Sequence, residues 1–207
     1  SVTSLNDGGL TETVPDANEA NLTFDYPDPG WRIGVVGFDP DGRPDPVRRV
    51  MTFTSAPLEH GLEIAGPIKL ELWASSSRED TDFIVKLSEQ YAQTAEERAK
   101  GVQPRYQIVT KGWLRASHRA LDPKLSTDYA PWYTHSKPQK LLPAKAYRFE
   151  IAVMPTAHRF REGSRIRLEL ANGDSSVTEF VFAHEYAPHK VGRDTISACS
   201  GRFFMSS

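Results

Sequence analysis

The sequence has almost no cysteine, no long apolar run and no excess charge of either sign. A single cysteine, Cys199, among 207 residues excludes an internal disulfide framework and a multi-cysteine zinc site. Apolar stretches such as residues 33–38 are far shorter than the ~20 residues of a membrane-spanning helix, which excludes such a helix. Lysine and arginine total 25 and aspartate and glutamate 27, so the net charge of −2 predicts no binding to nucleic acid or to an anionic membrane.

The chain as given does not start like a nascent protein or like a signal peptide. It opens Ser1-Val2-Thr3-Ser4, without a methionine, a basic segment or an apolar segment. We therefore expect it to be a piece of a longer protein. The composition leaves the cellular compartment undecided, with the cytoplasm slightly favoured.

Short segments that alternate apolar and charged residues are frequent. The clearest are residues 68–72, 147–153 and 165–170, and this period of two is typical of a strand with one face on a core and one in water. Weaker candidates are residues 49–54, 82–89, 105–115, 178–183 and 194–198. About eight strands separated by turn residues predict an all-β domain, either an antiparallel sandwich or a jelly roll.

The N-terminal part of the chain differs in composition from the rest. Residues 1–46 are polar and rich in turn residues, including the loop DPDGRPDP at 39–46, and we interpret them as an extended N-terminal arm that leads into a β-sandwich over residues 47–207. Little helix is predicted. The good helix formers of residues 91–100 predict one short helix, which stops at Gly101, and residues 116–125 predict a helical turn.

No catalytic constellation is recognisable. The nucleophile motif GxSxG is absent, because the one pair of glycines with its spacing, Gly30 and Gly34, flanks Arg32. The motif HEYAPH at 184–189 departs from HExxH and contains a proline, which favours a loop with exposed imidazoles over a metal site. We therefore assign no catalytic, cofactor-binding or metal-ligating residue.

Two further groups have competing interpretations. Asp80 and Asp82 belong to the acidic run 79–82, which could serve acid–base chemistry or calcium binding. They follow three serines and precede a strand, so we expect them to cap a loop by accepting backbone N–H bonds. His118 comes just after a strand and is interpreted as a hydrogen-bonded structural histidine rather than a base.

Exposed tryptophans are the third candidate feature. In the alternation of residues 68–72, Trp73 falls on the same face as Lys69 and Glu71, opposite the apolar positions. We therefore expect Trp73 to be exposed towards a partner or ligand. Trp132 is the second candidate for such a surface.

Several stretches, taken in order, resemble one family of proteins. They are FTSAPL (53–58), IAGP (64–67), LWASSS (72–77), DTDF (80–83) with KL (86–87), GWLRASHR (112–119), MPTAHRF (154–160) with GSRIRL (163–168), and KVGRDTI (190–196). Over residues 50–197 the chain resembles the C-terminal domain of the X-prolyl dipeptidyl-peptidase and cocaine-esterase (CocE/NonD) group of serine hydrolases.

This resemblance implies a jelly roll of the galactose-binding-like type that carries no catalytic residue and needs no cofactor. Its implied partner is an α/β-hydrolase domain of the same polypeptide, which holds the Ser-His-Asp triad. The jelly roll would pack on that domain, help to wall the substrate entrance and support contacts in a homo-oligomer. The residues carried over define the fold: Asp80, Asp82, Trp113, Arg115 and His118.

The sequence departs from the family pattern at two places. Residues 91–101 are longer than the usual hairpin, so we expect a longer excursion there. The stretch Ala171-Asn172-Gly173-Asp174-Ser175 replaces a Ser-Ser-Asp-x-Pro stretch, which puts any role of that loop in doubt. Two other functions stay open, a carbohydrate-binding module that uses exposed aromatics or an acidic calcium loop, and a structural dimerisation module.

Overall fold

The computed structural model describes residues 5–6, 8–12, 20–26, 50–172, 188–197 and 202–205, and these are dominated by β-strands. The elements in chain order are β1 Gly8–Leu10, β2 Leu22–Asp25, β3 Met51–Ser55, β4 Leu62–Ser76, β5 Asp82–Gln90, α1 Ala95–Ala99, β6 Tyr106–Arg115, β7 Tyr147–Phe160, β8 Arg165–Ala171, β9 Arg193–Ile196 and β10 Arg202–Met205. Two 3₁₀ turns cover Ala116–His118 and Pro188–Lys190.

The strands form one curled sheet in the order β1-β3-β8-β5-β6-β7-β4-β9-β2, with β10 also paired to β4. The sheet turns its corner between β6 and β7, where Gly112 with Val153 is the one register pair of these two fully described strands. Glycine is required at this crossing, because a Cβ on Gly112 would lie 2.2 Å from the carbonyl oxygen of Ala152. The strands on the two sides of the corner therefore pack face to face, as in a jelly roll.

The core lies between these two layers. Alternate residues of β5 and β8 on one side face alternate residues of β4 and β7 on the other. Phe83 and Phe149 meet across the interior with ring centroids 4.9 Å apart, and both are about 1% exposed. Burial of such rings is among the largest apolar contributions that a side chain can make to folding.

The long strand β4 is interrupted by a bulge. The register with β7 shifts between Gly66 and Ile68, and Gly66 has φ 117°, a conformation that favours glycine. Pro67 follows within the bulge, where a residue without an N–H is tolerated in a strand.

Tyr133 seals part of the edge of β7. Its hydroxyl donates to the carbonyl of Glu150 at 2.7 Å and accepts from the N–H of Ala152 at 2.8 Å. A residue of a neighbouring strand would likewise bond one C=O and one N–H of β7, so the phenol takes the place of a strand where β6 diverges from β7. Burial raises the pKa of Tyr133 to about 12.

The predicted all-β jelly roll is confirmed, and seven of the predicted strand segments coincide with β3 to β9. The segments 178–183 and 39–46 lie outside the described residues. The helix is shorter than predicted. It begins at the capping box of Thr94 and Glu97, because the backbone N–H of Tyr91 bonds Arg105 and prolongs the hairpin.

The arm is not merely a surface loop in its described parts. β1 joins the sheet in parallel with β3, and β2 joins the opposite end by pairing antiparallel with β9. These short strands lack a clear alternation and were missed from the sequence. The galactose-binding-like subtype and the division into domains at residue 46 stay predictions.

Among the described residues, no helix has the length and apolar character needed to cross a membrane.

Candidate functional site

Two acids of the run at the start of β5, Asp80 and Asp82, lie in a buried polar cluster. Asp80 is 9% exposed and accepts from the backbone N–H groups of Thr81 and Ser117 at 3.0 and 2.8 Å, and from the Ser117 hydroxyl at 2.9 Å. The expectation that Asp80 caps a loop through backbone N–H groups is confirmed. The carboxylate joins the turn before β5 to the turn after β6.

Asp82 is held by side chains rather than by backbone groups. Its Oδ2 accepts from Lys190 Nζ at 2.5 Å and from the Tyr26 hydroxyl at 3.0 Å, while Oδ1 accepts from Arg115 Nε at 3.0 Å. Burial opposes ionisation, yet the charges and hydrogen bonds of Lys190 and Arg115 hold the pKa of Asp82 below its usual range. Asp82 is therefore a buried carboxylate with two cationic partners.

A second carboxylate, Asp194, lies in the same cluster but has no cationic partner among the described residues. It is 1% exposed, and its Oδ2 accepts from the Thr81 hydroxyl at 2.5 Å and the Asn172 amide at 2.7 Å. Burial raises the pKa of Asp194, and the nearby charge of Asp82 adds to this, against hydrogen bonds from Ser76, Thr81 and Asn172. The two carboxylates are thus shifted in opposite directions because only one has cationic partners.

This cluster ties elements of the fold together. Its carboxylates accept from protein donors, and among the described residues no group of three or more His, Cys, Asp or Glu side chains is placed to hold a metal ion. The acids are contributed by the ends of β5 and β9, which the rest of the fold brings together at one end of the sandwich.

The structure brings only three of the five predicted fold-defining residues together, Asp80, Asp82 and Arg115. Trp113 lies on β6 with 47% of its surface exposed. His118 contacts the ring of His135, with centroids 5.7 Å apart. Its buried Nδ1 has no hydrogen-bond partner, so the expected hydrogen bond is not found at that atom.

The outer face of β4 and β7 is the second candidate site. Trp73 is 43% exposed, as its place in the alternation predicts, and lies opposite Arg148 in the register. Lys69 was expected in water on this face, but it is only 5% exposed. It is enclosed because its ammonium lies 2.9 Å from Glu71 and 3.1 Å from Glu150.

These charges form a closed network under a loop. Arg148 contacts Glu71 at 2.7 Å and Glu150 at 3.4 Å, so two cations alternate with two carboxylates. Burial opposes ionisation of Glu71, but Lys69 and Arg148 hold its pKa below the usual range. Together with residues 127–129 the four side chains line a shallow groove. The four charges of the network neutralise one another, and Asp128 adds one further carboxylate to the lining of the groove.

The loop of residues 121–133 carries Trp132 over this face. A bridge between Leu121 and Tyr133 closes it, and Asp122 and Ser126 hold its interior through bonds to backbone N–H groups. Three of its large side chains are exposed: Leu125, Tyr129 and Trp132. Tyr129 lines the groove that also includes Glu71 and Arg148, so this part of the loop lies on the same face as that network.

Sequence reasoning missed Tyr26, Lys190, Asn172 and Asp194 as members of the buried cluster. The motif KVGRDTI contains both Lys190 and Asp194, which was the available signal, although no pattern in it says which groups they meet. Tyr26 stands in a turn-rich stretch and gave no such signal.

Comparison with known sequences identifies a family. Residues 10–185 match the family described as "X-Pro dipeptidyl-peptidase C-terminal non-catalytic domain". The chain is 31% identical over 156 residues to the Mycobacterium bovis and Mycobacterium tuberculosis proteins named "Putative serine esterase". That alignment covers 70% of this chain and 23% of each relative. The chain therefore spans about a quarter of the length of these relatives.

Solved structures support the fold. A CocE/NonD family hydrolase from Staphylococcus aureus is 19% identical with a TM-score of 0.62, over 90% of this chain and 32% of that one. An aminopeptidase from the marine sediment archaeon Thaumarchaeota archaeon is 19% identical with a TM-score of 0.64, over 96% and 34% of the two chains. An alpha-amino acid ester hydrolase is 21% identical with a TM-score of 0.59, over the same shares. The matched sequence and the shared fold agree, and the chain belongs to the family of X-Pro dipeptidyl-peptidase C-terminal non-catalytic domains, as found in CocE/NonD-type hydrolases.

Proposed function

We propose that this chain is the accessory domain of a CocE/NonD-type serine hydrolase and has no catalytic activity of its own. The reaction, hydrolysis of an acyl ester or of an Xaa-Pro peptide, would take place on an α/β-hydrolase domain of the same polypeptide. The observation that carries this proposal is the match of residues 10–185 to a non-catalytic domain family whose relatives are three to four times longer than the matched part. The comparisons lend no support to a carbohydrate-binding module.

The accessory role has a direct test. The purified chain is assayed against activated esters and Xaa-Pro substrates, with a full-length mycobacterial relative as the positive control. We expect no turnover above the uncatalysed rate. Turnover that survives repurification would contradict the proposal, because no domain other than this one would be present to supply it.

The surface that meets the hydrolase domain is the second part of the proposal. We assign it to the side that carries Trp73 and Trp132, because large exposed aromatics on an otherwise well-packed fold mark interaction surfaces. The loop of residues 121–133 is held by its own hydrogen bonds, so docking would order few additional groups. The docked domain would then shape access to the substrate site or support oligomer contacts.

Binding measurements separate this surface from the rest of the domain. Calorimetry with a separately produced hydrolase domain is expected to show at least about tenfold weaker association for Trp73→Ala and Trp132→Ala. Val102→Ala is the matched control, since Val102 is 47% exposed but lies in the excursion after α1. Equal affinities for all three variants would exclude this face as the contact. Light scattering on the same samples tests the homo-oligomer.

A further inference from the structure

Strand β2 is held to the domain by few groups. It has four residues and one described neighbour, β9, which is equally short. Phe24 is its one residue in the hydrophobic core, and Leu22 packs at the margin of that core. The pairing is reinforced by an ion pair of Asp25 with Arg193 at 3.0 Å, which is exposed and therefore of the kind that contributes little to stability.

Tyr26 supplies the attachment at the end of this strand. The residue is 2% exposed, and its backbone N–H donates to the carbonyl of Gly192 at 2.8 Å. Its hydroxyl reaches the carboxylate of Asp82, 56 positions along the chain, at 3.0 Å. The arm is therefore fastened to the buried polar cluster by a hydrogen bond to an ionised group, one of the stronger kinds of hydrogen bond in proteins.

Asp82 does not depend on this bond for its charge balance. Lys190 Nζ shares Oδ2 with the phenol, and Arg115 Nε occupies Oδ1. When the phenol leaves, the carboxylate keeps both cationic partners, and no uncompensated charge remains in the interior. Removal of Lys190 would be different in kind, because it breaks a buried ion pair. The geometry thus separates a strong permanent pairing from a weaker, reversible one on the same carboxylate.

We propose that Tyr26 and Asp82 form a latch by which the segment of residues 20–26 attaches to and detaches from the folded sandwich as one unit. When the latch opens, β2 leaves β9, and the layers formed by β3 to β8 stay intact. The open form exposes the edge of β9 and the Tyr26 side of the Asp82 cluster. The latch is a property of this chain alone and stands whether or not the accessory role does.

Amide hydrogen exchange on the full chain tests the latch, with Tyr26→Phe as the variant. Phenylalanine keeps the ring packing and removes only the hydroxyl. We expect exchange of the β2 amides, and of the β9 amides that bond to β2, to accelerate about 10- to 100-fold, which corresponds to the loss of one hydrogen bond to a charged group. The amides of β5 and β8 should stay within about threefold of their original rates. Tyr129→Phe is the control, because Tyr129 lies on the exposed loop and should change neither set.

Two outcomes would overturn the proposal. An equal acceleration in β2, β5 and β8 would mean that the hydroxyl contributes only to global stability. No acceleration in β2 would mean that the Tyr26–Asp82 hydrogen bond does not contribute to the attachment of β2. The unmodified chain offers an independent measurement. Its β2 amides should exchange through an opening that responds weakly to low urea, while β5 amides respond with the full slope of global unfolding. Identical slopes for the two strands would also contradict a separate opening unit.

Discussion

The ammonium of Lys190 lies 2.5 Å from the carboxylate of Asp82, although the two residues are 108 positions apart in the chain. Lys190 is 1% exposed and Asp82 is 6% exposed, so both charges are withdrawn from water. The attraction between two such buried charges is largely offset by the free-energy cost of removing both of them from water. Loss of either partner would leave the other as an unpaired buried charge, which is costly. The ion pair therefore holds the turn before β9 against the start of β5.

Lys190→Met should lower the free energy of unfolding by about 3–5 kcal/mol. The substitution keeps most of the side-chain volume but removes the buried cationic partner of Asp82, while its partner Arg115 is half exposed. Urea unfolding followed by circular dichroism gives the difference. Lys140→Met is the matched control, because Lys140 contacts Glu79 at 2.5 Å on the surface and should show no measurable change. A similar small effect for both lysines would show that the buried pair is dispensable.

The free energy of unfolding of the unmodified chain should fall, relative to that of the Asp194→Asn variant, as the pH rises. Burial raises the pKa of the folded Asp194 above its unfolded value near 4, so between these two values the folded state binds the extra proton. The unfolding free energy of the unmodified chain minus that of Asp194→Asn should therefore fall as the pH rises from about 4 through the folded pKa, and then level off. Urea titrations of both proteins between pH 4 and 8 measure this difference. A difference that grows with pH would reverse the assignment of the shift.

The sequence predicts the positions and faces of the strands better than the contacts between segments that are distant in the chain. Period-two alternation located β4 and the outward direction of Trp73, because both depend on neighbouring residues. The same alternation placed Lys69 in water, since it identifies a face of the strand but not the loop that covers that face. The meeting of Tyr26, Asp82 and Lys190 has no local signature. It results from the curl of the sheet and the return of two distant segments to one end of the sandwich.

Gly112→Ala should destabilise the domain by at least about 2 kcal/mol, because the crossing of β6 and β7 leaves no room for a methyl group. The added Cβ would lie 2.2 Å from the carbonyl oxygen of Ala152 and 2.8 Å from Cα of Val153, and both are backbone atoms that cannot rotate away. Gly9→Ala is the control, since an added Cβ there meets nothing within 4 Å. Thermal unfolding of the two variants should differ by several degrees or more. Equal melting temperatures would mean that the corner of the sheet relaxes freely.

Tyr133→Phe should lower the unfolding free energy by about 1–3 kcal/mol, although the ring and its packing are retained. The phenol serves both the carbonyl of Glu150 and the N–H of Ala152, so its removal leaves two backbone groups on the edge of β7 without their partner. Tyr133 is partly buried against the core, and movement of the loop of residues 121–133 would let water reach these groups. Urea unfolding measures the loss, and amide exchange at Ala152 locates it. Tyr129→Phe on the same loop should change neither quantity, and an unaltered Ala152 amide in Tyr133→Phe would show that this edge does not need the phenol.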